Sequence, residues 1–157
     1  MKIKNVQSII YLVILLLFAN QALAAEWIYY VSIPSQGAGY YDKSSIKKVN
    51  KNIIRVWTKT IFNEKGKTAA FSFLKSTGEA PDNLEKLSYE FDLNEIDCVN
   101  EKIKFPLVYI YNEDGAVIYK APADFIPQWY DTIPSSNTET LKNIVCRDGK
   151  TSKTKGK

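Results

Sequence analysis

Two stretches of this chain alternate strictly, and a side-chain period of two is what a β-strand imposes and an α-helix does not. In Ile53 to Phe62, Ile54, Val56, Thr58 and Thr60 face one way, while Ile53, Arg55, Trp57, Lys59 and Ile61 face the other. Between Lys86 and Cys98, Tyr89, Phe91 and Leu93 alternate with Glu90, Asp92 and Asn94. Three aromatic and β-branched runs join them: Glu26 to Ile33, stopped by Pro34; Tyr40-Tyr41, ending at Asp42; and Ile103 to Asn112. Pro106 has no N–H to give a ladder, which predicts an edge or a bulge at that point. Glu113-Asp114-Gly115 is a hairpin turn that returns the chain as Ala116 to Lys120.

The connections are polar. Asp42 with Ser45 is expected to organise a tight turn through side-chain to backbone hydrogen bonds, and Lys47 to Asn52 is expected to be a hairpin connection with its tip at Asn50-Lys51-Asn52. Near the C-terminus the period changes. Ser136 followed by Glu139 fits a capping box, and Leu141, Ile144 and Val145 make an apolar stripe at helical spacing. A helix is expected from about Asn137 to Arg147, with Gly149 as its terminator. Asn63 to Asp82 gives no clear period: Thr68 to Leu74 suits a short helix or an edge strand, and Pro81-Asp82-Asn83 signals a turn. The fold class is therefore α+β, a single antiparallel sheet of about six strands with a C-terminal α-helix packed on one face. One such helix is too small to cover that sheet, so some sheet surface or edge is expected to stay open to a partner.

The ends of the chain decide its compartment. Lys2 and Lys4 precede an uninterrupted apolar run from Ile9 to Ala19, and Ala22-Leu23-Ala24 supplies small residues at a cleavage site, so residues 1–24 are expected to be a signal peptide. That run is too short for a membrane span, which needs about 20 residues, and no later stretch comes near that length. No cysteine stands at the cleavage site to carry a lipid. The net charge of +4 belongs to the ends: Lys2 and Lys4 at one, and Arg147, Lys150, Lys153, Lys155 and Lys157 at the other, leaving a slightly acidic body. Residues 148–157 are expected to be a basic disordered tail. In an exported chain the two cysteines, Cys98 and Cys146, are expected to form a structural disulfide, since a redox-active pair ordinarily has C-x-x-C spacing.

Composition excludes more than it names. The sequence has no histidine, which removes Ser-His-Asp and Cys-His chemistry, histidine bases and imidazole metal sites. Two cysteines are too few for a structural zinc site or an iron–sulfur cluster. Asp92, Glu95 and Asp97 do not converge, because strand period sends Asp92 and Asp97 to opposite faces. No cofactor, no metal site and no catalytic residue is expected, and export disfavours nucleic acid as a partner.

One ordered set of residues is more specific. Trp27, Tyr41-Asp42 with Ser45-Ile46, Val56-Trp57, Ile96-Asp97-Cys98, Asp114-Gly115, Trp129 with Ile133-Pro134-x-Ser136, Leu141 and Val145-Cys146 together resemble the surface-adhesin protein E-like family, from Trp27 to Cys146. The resemblance implies a small exported antiparallel-sheet domain over residues 25–147 with a helix packed on it, pairing of Cys98 with Cys146, and binding to host extracellular-matrix or serum proteins. The expected function is thus a non-catalytic, exported protein-binding module, periplasmic, secreted or at the cell surface. The alternative is a soluble periplasmic structural or accessory protein with an envelope partner, and a dimer is among the assemblies left open. Trp27, Trp57 and Trp129 are expected in the core or lining a groove. Candidate contact residues are Trp129 and the outward-facing members of the pairs Tyr29/Tyr30 and Tyr40/Tyr41.

Overall fold

The strand with the cleanest alternation lies in the middle of the sheet, and its row Ile54, Val56, Thr58 and Thr60 is buried as a unit. The computed structural model describes residues 24–78, 86–121 and 126–151. The expected export segment, the turn at Pro81-Asp82-Asn83 and the last residues of the tail lie outside the described residues. In chain order the elements are β1 (Trp27–Ile33), β2 (Gly37–Asp42), a 3-10 turn (Lys43–Ser45), β3 (Lys47–Lys48), β4 (Ile53–Phe62) and α1 (Glu64–Thr77). There follow β5 (Leu87–Asp97), β6 (Lys102–Asn112), β7 (Val117–Lys120), β8 (Tyr130–Asp131) and α2 (Asn137–Thr151). The sheet runs β1-β2-β4-β5-β6-β7, antiparallel at each pairing, with the short β3 and β8 added beside β4 and β6.

Pro106 sits in an inner strand, at a bulge. Leu93 opposes Leu107 and Glu95 opposes Lys104, so Phe105 and Pro106 together face the single residue Asn94 and the missing N–H breaks no ladder bond. The Asp42 turn forms as its residue types predict: Asp42 Oδ1 accepts from Ser44 N at 2.9 Å, and Ser45 Oγ donates to Asp42 O at 2.7 Å. Ser45 Oγ also accepts from Trp57 N at 2.9 Å, which ties this turn to β4. At the hairpin tip, Asn50 Oδ1 accepts from the backbone N–H groups of Asn52 and Ile53.

The segment without a clear period holds a full helix. α1 starts at the N-cap Asn63, whose side chain accepts from Gly66 N, and ends at Gly78 in the left-handed region with φ 78°. Gly66 is required for docking: a Cβ there would lie 2.0 Å from Gln36 O, in the turn between β1 and β2. α2 also differs from expectation. Ser136 Oγ accepts from Glu139 N, but the Glu139 carboxylate reaches Ser135 N instead of closing the box on Ser136. At its other end the helix continues through Gly149 to Thr151, so the expected terminator is helical and the first residues of the expected tail belong to the helix.

Both helices pack on the same sheet face and divide its core. Under α2, Leu141 and Val145 meet Tyr41, Ile54, Val56, Ile96 and Ile103. Under α1, Leu74 meets Leu87, Ile110, Tyr119 and Ala121. The Cys98–Cys146 disulfide, with Cα atoms 5.8 Å apart, joins the residue after β5 to α2. Among the described residues, no helix is long and apolar enough to cross a membrane.

Candidate binding face

Because both helices lie on one side, the other side of the sheet carries no helix among the described residues, and it is the more aromatic of the two. Trp27 and Tyr29 before the bulge in β1, the odd-numbered residues of β4, those of β5 from Tyr89 onward, and Leu107, Tyr109 and Tyr111 beyond the bulge in β6 point to it. In register, Tyr29 pairs with Tyr40, Tyr40 with Lys59, Lys59 with Phe91, and Phe91 with Tyr109. One row away, Ile61 pairs with Tyr89 and Tyr89 with Tyr111. The rings hold one another: Trp27 stacks on Phe91 with centroids 5.3 Å apart, Tyr89 stacks on Tyr111 at 4.9 Å, and Phe91 meets Tyr111 edge-on at 5.3 Å. Such contacts contribute about 0.5–1.5 kcal/mol each beyond burial. They fix the rings in place while leaving their outer surfaces to solvent.

Cations are interleaved with the rings. Lys59 Nζ lies 4.3 Å from the Tyr89 centroid, Lys104 Nζ 4.8 Å from that of Trp129, and Lys120 Nζ 5.7 Å from that of Tyr109. At one end of the face, Glu95 is buried between Arg55, which contacts it through Nε and Nη2, and Lys104, whose Nζ lies 2.8 Å from Oε2. Burial works against a charge on Glu95, but the hydrogen bonds and charges of Lys104 and Arg55 outweigh it and hold the carboxyl below its ordinary range. A groove of about 260 Å³ runs between Trp27, Trp57, Phe91, Tyr109 and Tyr111, with Asp42 in its wall.

The structure separates the tyrosine pairs. Tyr29 is 55 % exposed and faces out with Tyr40. Tyr30 and Tyr41 face the helices, packed edge-on to each other, and Tyr41 is only 6 % exposed, so these two candidates are core residues. Trp129 is 37 % exposed beneath Lys104. Trp27 and Trp57 line the groove. Tyr89, Phe91, Tyr109 and Tyr111 also lie on this face, although none is among the expected contact residues. Their signal was available, since two aromatics at i and i+2 on adjacent strands must share a face.

The covered face also holds a second group of polar residues. Glu90 and Asp92 project there, opposite Thr60 and Thr58, and neither carboxylate has an ion pair among the described residues. Burial pushes Glu90 up to about 7, and burial together with the neighbouring Glu90 charge pushes Asp92 well above its ordinary value. Burial, then the charges of Asp92 and Glu90, raise the Tyr30 phenol. Asn94 Nδ2 donates to Thr58 Oγ1 at 2.7 Å and completes the row. Among the described residues there is no group of three or more His, Cys, Asp or Glu side chains able to hold a metal ion.

Comparison with known proteins places this geometry. No curated protein matches the chain at a significant level. Among solved structures, Haemophilus influenzae protein E is similar at 15 % identity and a TM-score of 0.52, over 78 % of this chain and 84 % of that one. Its selenomethionine form is similar at 12 % identity and a TM-score of 0.51, over 80 % and 94 %. At such identity the likeness concerns the fold. The model of the family described as surface-adhesin protein E matches residues 27–147, from the first residue of β1 into α2 and through both cysteines. The chain belongs to the surface-adhesin protein E family.

Proposed function

We propose that this protein is an exported, non-catalytic binding module that engages a protein partner through its helix-free sheet face, in the manner of an adhesin toward host matrix or serum proteins. The observation that carries the reading is the inversion of the sheet: Trp27, Tyr29, Tyr40, Trp57, Phe91, Tyr109 and Tyr111 face away from the helices. Tyr and Trp supply large rigid contact area at little entropic cost and dominate interface hot spots. Tyr29, Tyr40 and Trp129 are the proposed contacts among the original candidates. The groove residues extend them. Export through residues 1–24 delivers residues 25–147 as the binding unit.

The test immobilises matrix and serum proteins and passes the oxidised mature chain over them. Saturable binding by the native chain, lost by at least about tenfold in Tyr29→Ala/Tyr40→Ala, is the expected result. Absence of saturable binding to every matrix and serum protein removes the host-adhesin reading.

A further inference from the structure

The groove on the open face differs in one respect from the rest of that face: its rings have a carboxylate in their wall. Trp27, Trp57, Phe91, Tyr109 and Tyr111 line it, and Asp42 is the one charged side chain among the lining residues. Ring faces carry negative electrostatic potential, so five aromatics and a carboxylate together favour a cation and repel an anion. The same face already displays this preference, because Lys59, Lys104 and Lys120 each sit over one of its rings.

Asp42 is 7 % exposed, and its two oxygens are used unequally. Oδ1 accepts from Glu26 N at 2.9 Å, Ser44 N at 2.9 Å and Ser44 Oγ at 2.6 Å. Oδ2 accepts from no donor among the described residues. No fully buried side-chain oxygen there lacks a partner, so Oδ2 keeps some contact with solvent, and Asp42 is among the residues that line the groove. The nearby cations of the chain are committed elsewhere: Lys43 to Glu26 at 3.2 Å, Arg55 to Glu95, and Lys59 to the Tyr89 ring. A carboxylate held on one oxygen by three donors and open on the other is a preorganised half of an ion pair.

We propose that this groove receives an arginine or lysine side chain of the protein partner, with its charged head at Asp42 Oδ2 between Trp27 and Trp57. The aliphatic stem lies along Phe91, Tyr109 and Tyr111. Lys120, over Tyr109 two strands away from Trp57, disfavours the head at that end. Arginine suits the slot better than lysine, because a planar guanidinium stacks on indole while still donating to the carboxylate. The inference rests on the protein-binding reading of this face and adds the chemistry that a partner must present.

The experiment titrates the oxidised mature chain with Nα-acetyl-arginine amide and follows tryptophan emission and the indole N–H resonances. The neutral isostere Nα-acetyl-citrulline amide is the control. Saturable binding of the arginine probe, at least about tenfold tighter than the citrulline probe, is expected. Asp42→Asn keeps an oxygen to accept from Ser44 N, so the turn persists while the charge is lost, and the same tenfold loss is expected. Trp27→Leu, which leaves the Asp42 turn untouched, is expected to lose as much. Equal binding of the two probes, unchanged binding in Asp42→Asn, or no saturation overturns the proposal. Protein partners separate it from the reading beneath it. A partner that binds native and Asp42→Asn chains equally refutes the cation slot and leaves the binding face standing. An arginine probe that binds while no protein does upholds the slot and removes the protein-binding reading.

Discussion

Replacing Glu90 with glutamine should make this protein more stable at pH 8 and change it much less at pH 5. Glu90 stands on β5 between Thr60 and Ile110, at the edge of a cavity of about 220 Å³ beneath α1 that Phe62, Ala70, Phe73 and Val108 also line. Asp92 follows two residues later on the same face. Burial raises Glu90 from the ordinary 4.5 to about 7. Between those values the folded chain holds a proton that the unfolded chain has released, so stability falls as pH rises through that window. A shift of this size corresponds to about 3 kcal/mol if all of it is expressed. Glu90 keeps partial contact with solvent, which brings the expected gain in Glu90→Gln to about 1–2 kcal/mol, or roughly 5 °C in Tm for a domain of this size.

The chain makes the assay unusually clean. With no histidine in the sequence, no side chain with an ordinary pKa titrates between pH 5 and 8, so a slope in that range reports on the raised carboxyls and the α-amino group. Thermal unfolding of the oxidised native chain and of Glu90→Gln, at pH 5, 6, 7 and 8, gives the comparison. The native Tm should decline toward pH 8 while that of Glu90→Gln declines less. A native Tm that is flat or rising from pH 5 to 8, with Glu90→Gln parallel to it, would refute the account of a strained buried pair.

Other perturbations test other parts of the fold. Reducing the Cys98–Cys146 bond, or replacing both cysteines with serine, should cost roughly 4 kcal/mol for a separation of 48 residues, read as a lower urea midpoint. Gly66→Ala should destabilise by about 1–3 kcal/mol although alanine is the better helix former, because its Cβ meets Gln36 O at 2.0 Å; a higher Tm would show that α1 can shift. Glu95→Gln should cost about 1–2 kcal/mol at pH 7, since Glu95 is 7 % exposed while its partners Arg55 and Lys104 keep some contact with water. The depressed Glu95 carboxyl adds stability that is present above its ordinary pKa of 4.5 and lost as pH falls through the folded value, so native and Glu95→Gln unfolding curves should converge in acid.

Much of this architecture was legible because strands announce themselves locally. Ile53 to Phe62 gave both its span and its two faces, and Gly115 marked its turn by requiring φ 78°. α1 was not legible, since Gly66 and the run of Thr68, Ser72, Ser76 and Thr77 dilute its apolar stripe and the reason for Gly66 lies in a contact with Gln36, thirty positions away. The pair Asn63 and Gly78, an N-cap and a left-handed terminator, bracketed the helix and was the usable signal. Tyr29/Tyr30 and Tyr40/Tyr41 could be divided into inward and outward members by period, but period carries no absolute sign. Only the position of the helices decides that Tyr30 and Tyr41 are the buried ones.

That missing sign matters most on β5. Burial by hydrophobicity would turn Tyr89, Phe91 and Leu93 toward the helices and Glu90, Asp92 and Asn94 toward water. The structure does the reverse, and the reason is that register couples every strand. β4 presents Ile54 and Val56 to α2, these pair with Ile96 and Asn94, and the pleat then carries Asp92 and Glu90 inward on the same row. Turning β5 over would bury the aromatics but expose Ile96 and break the core under α2. The fold therefore accepts two strained carboxylates on its covered side to keep one core intact, and the aromatics fall to the open side as a consequence. Asn94 and Thr58 on the same row bond each other between the strands, so their burial leaves no unpaired donor there. The cost of the two carboxylates is offset by the cores that the same register keeps whole under α1 and α2. Under the proposed binding role, that register is also what puts Tyr29, Tyr40, Trp27 and Trp57 where a partner would meet them.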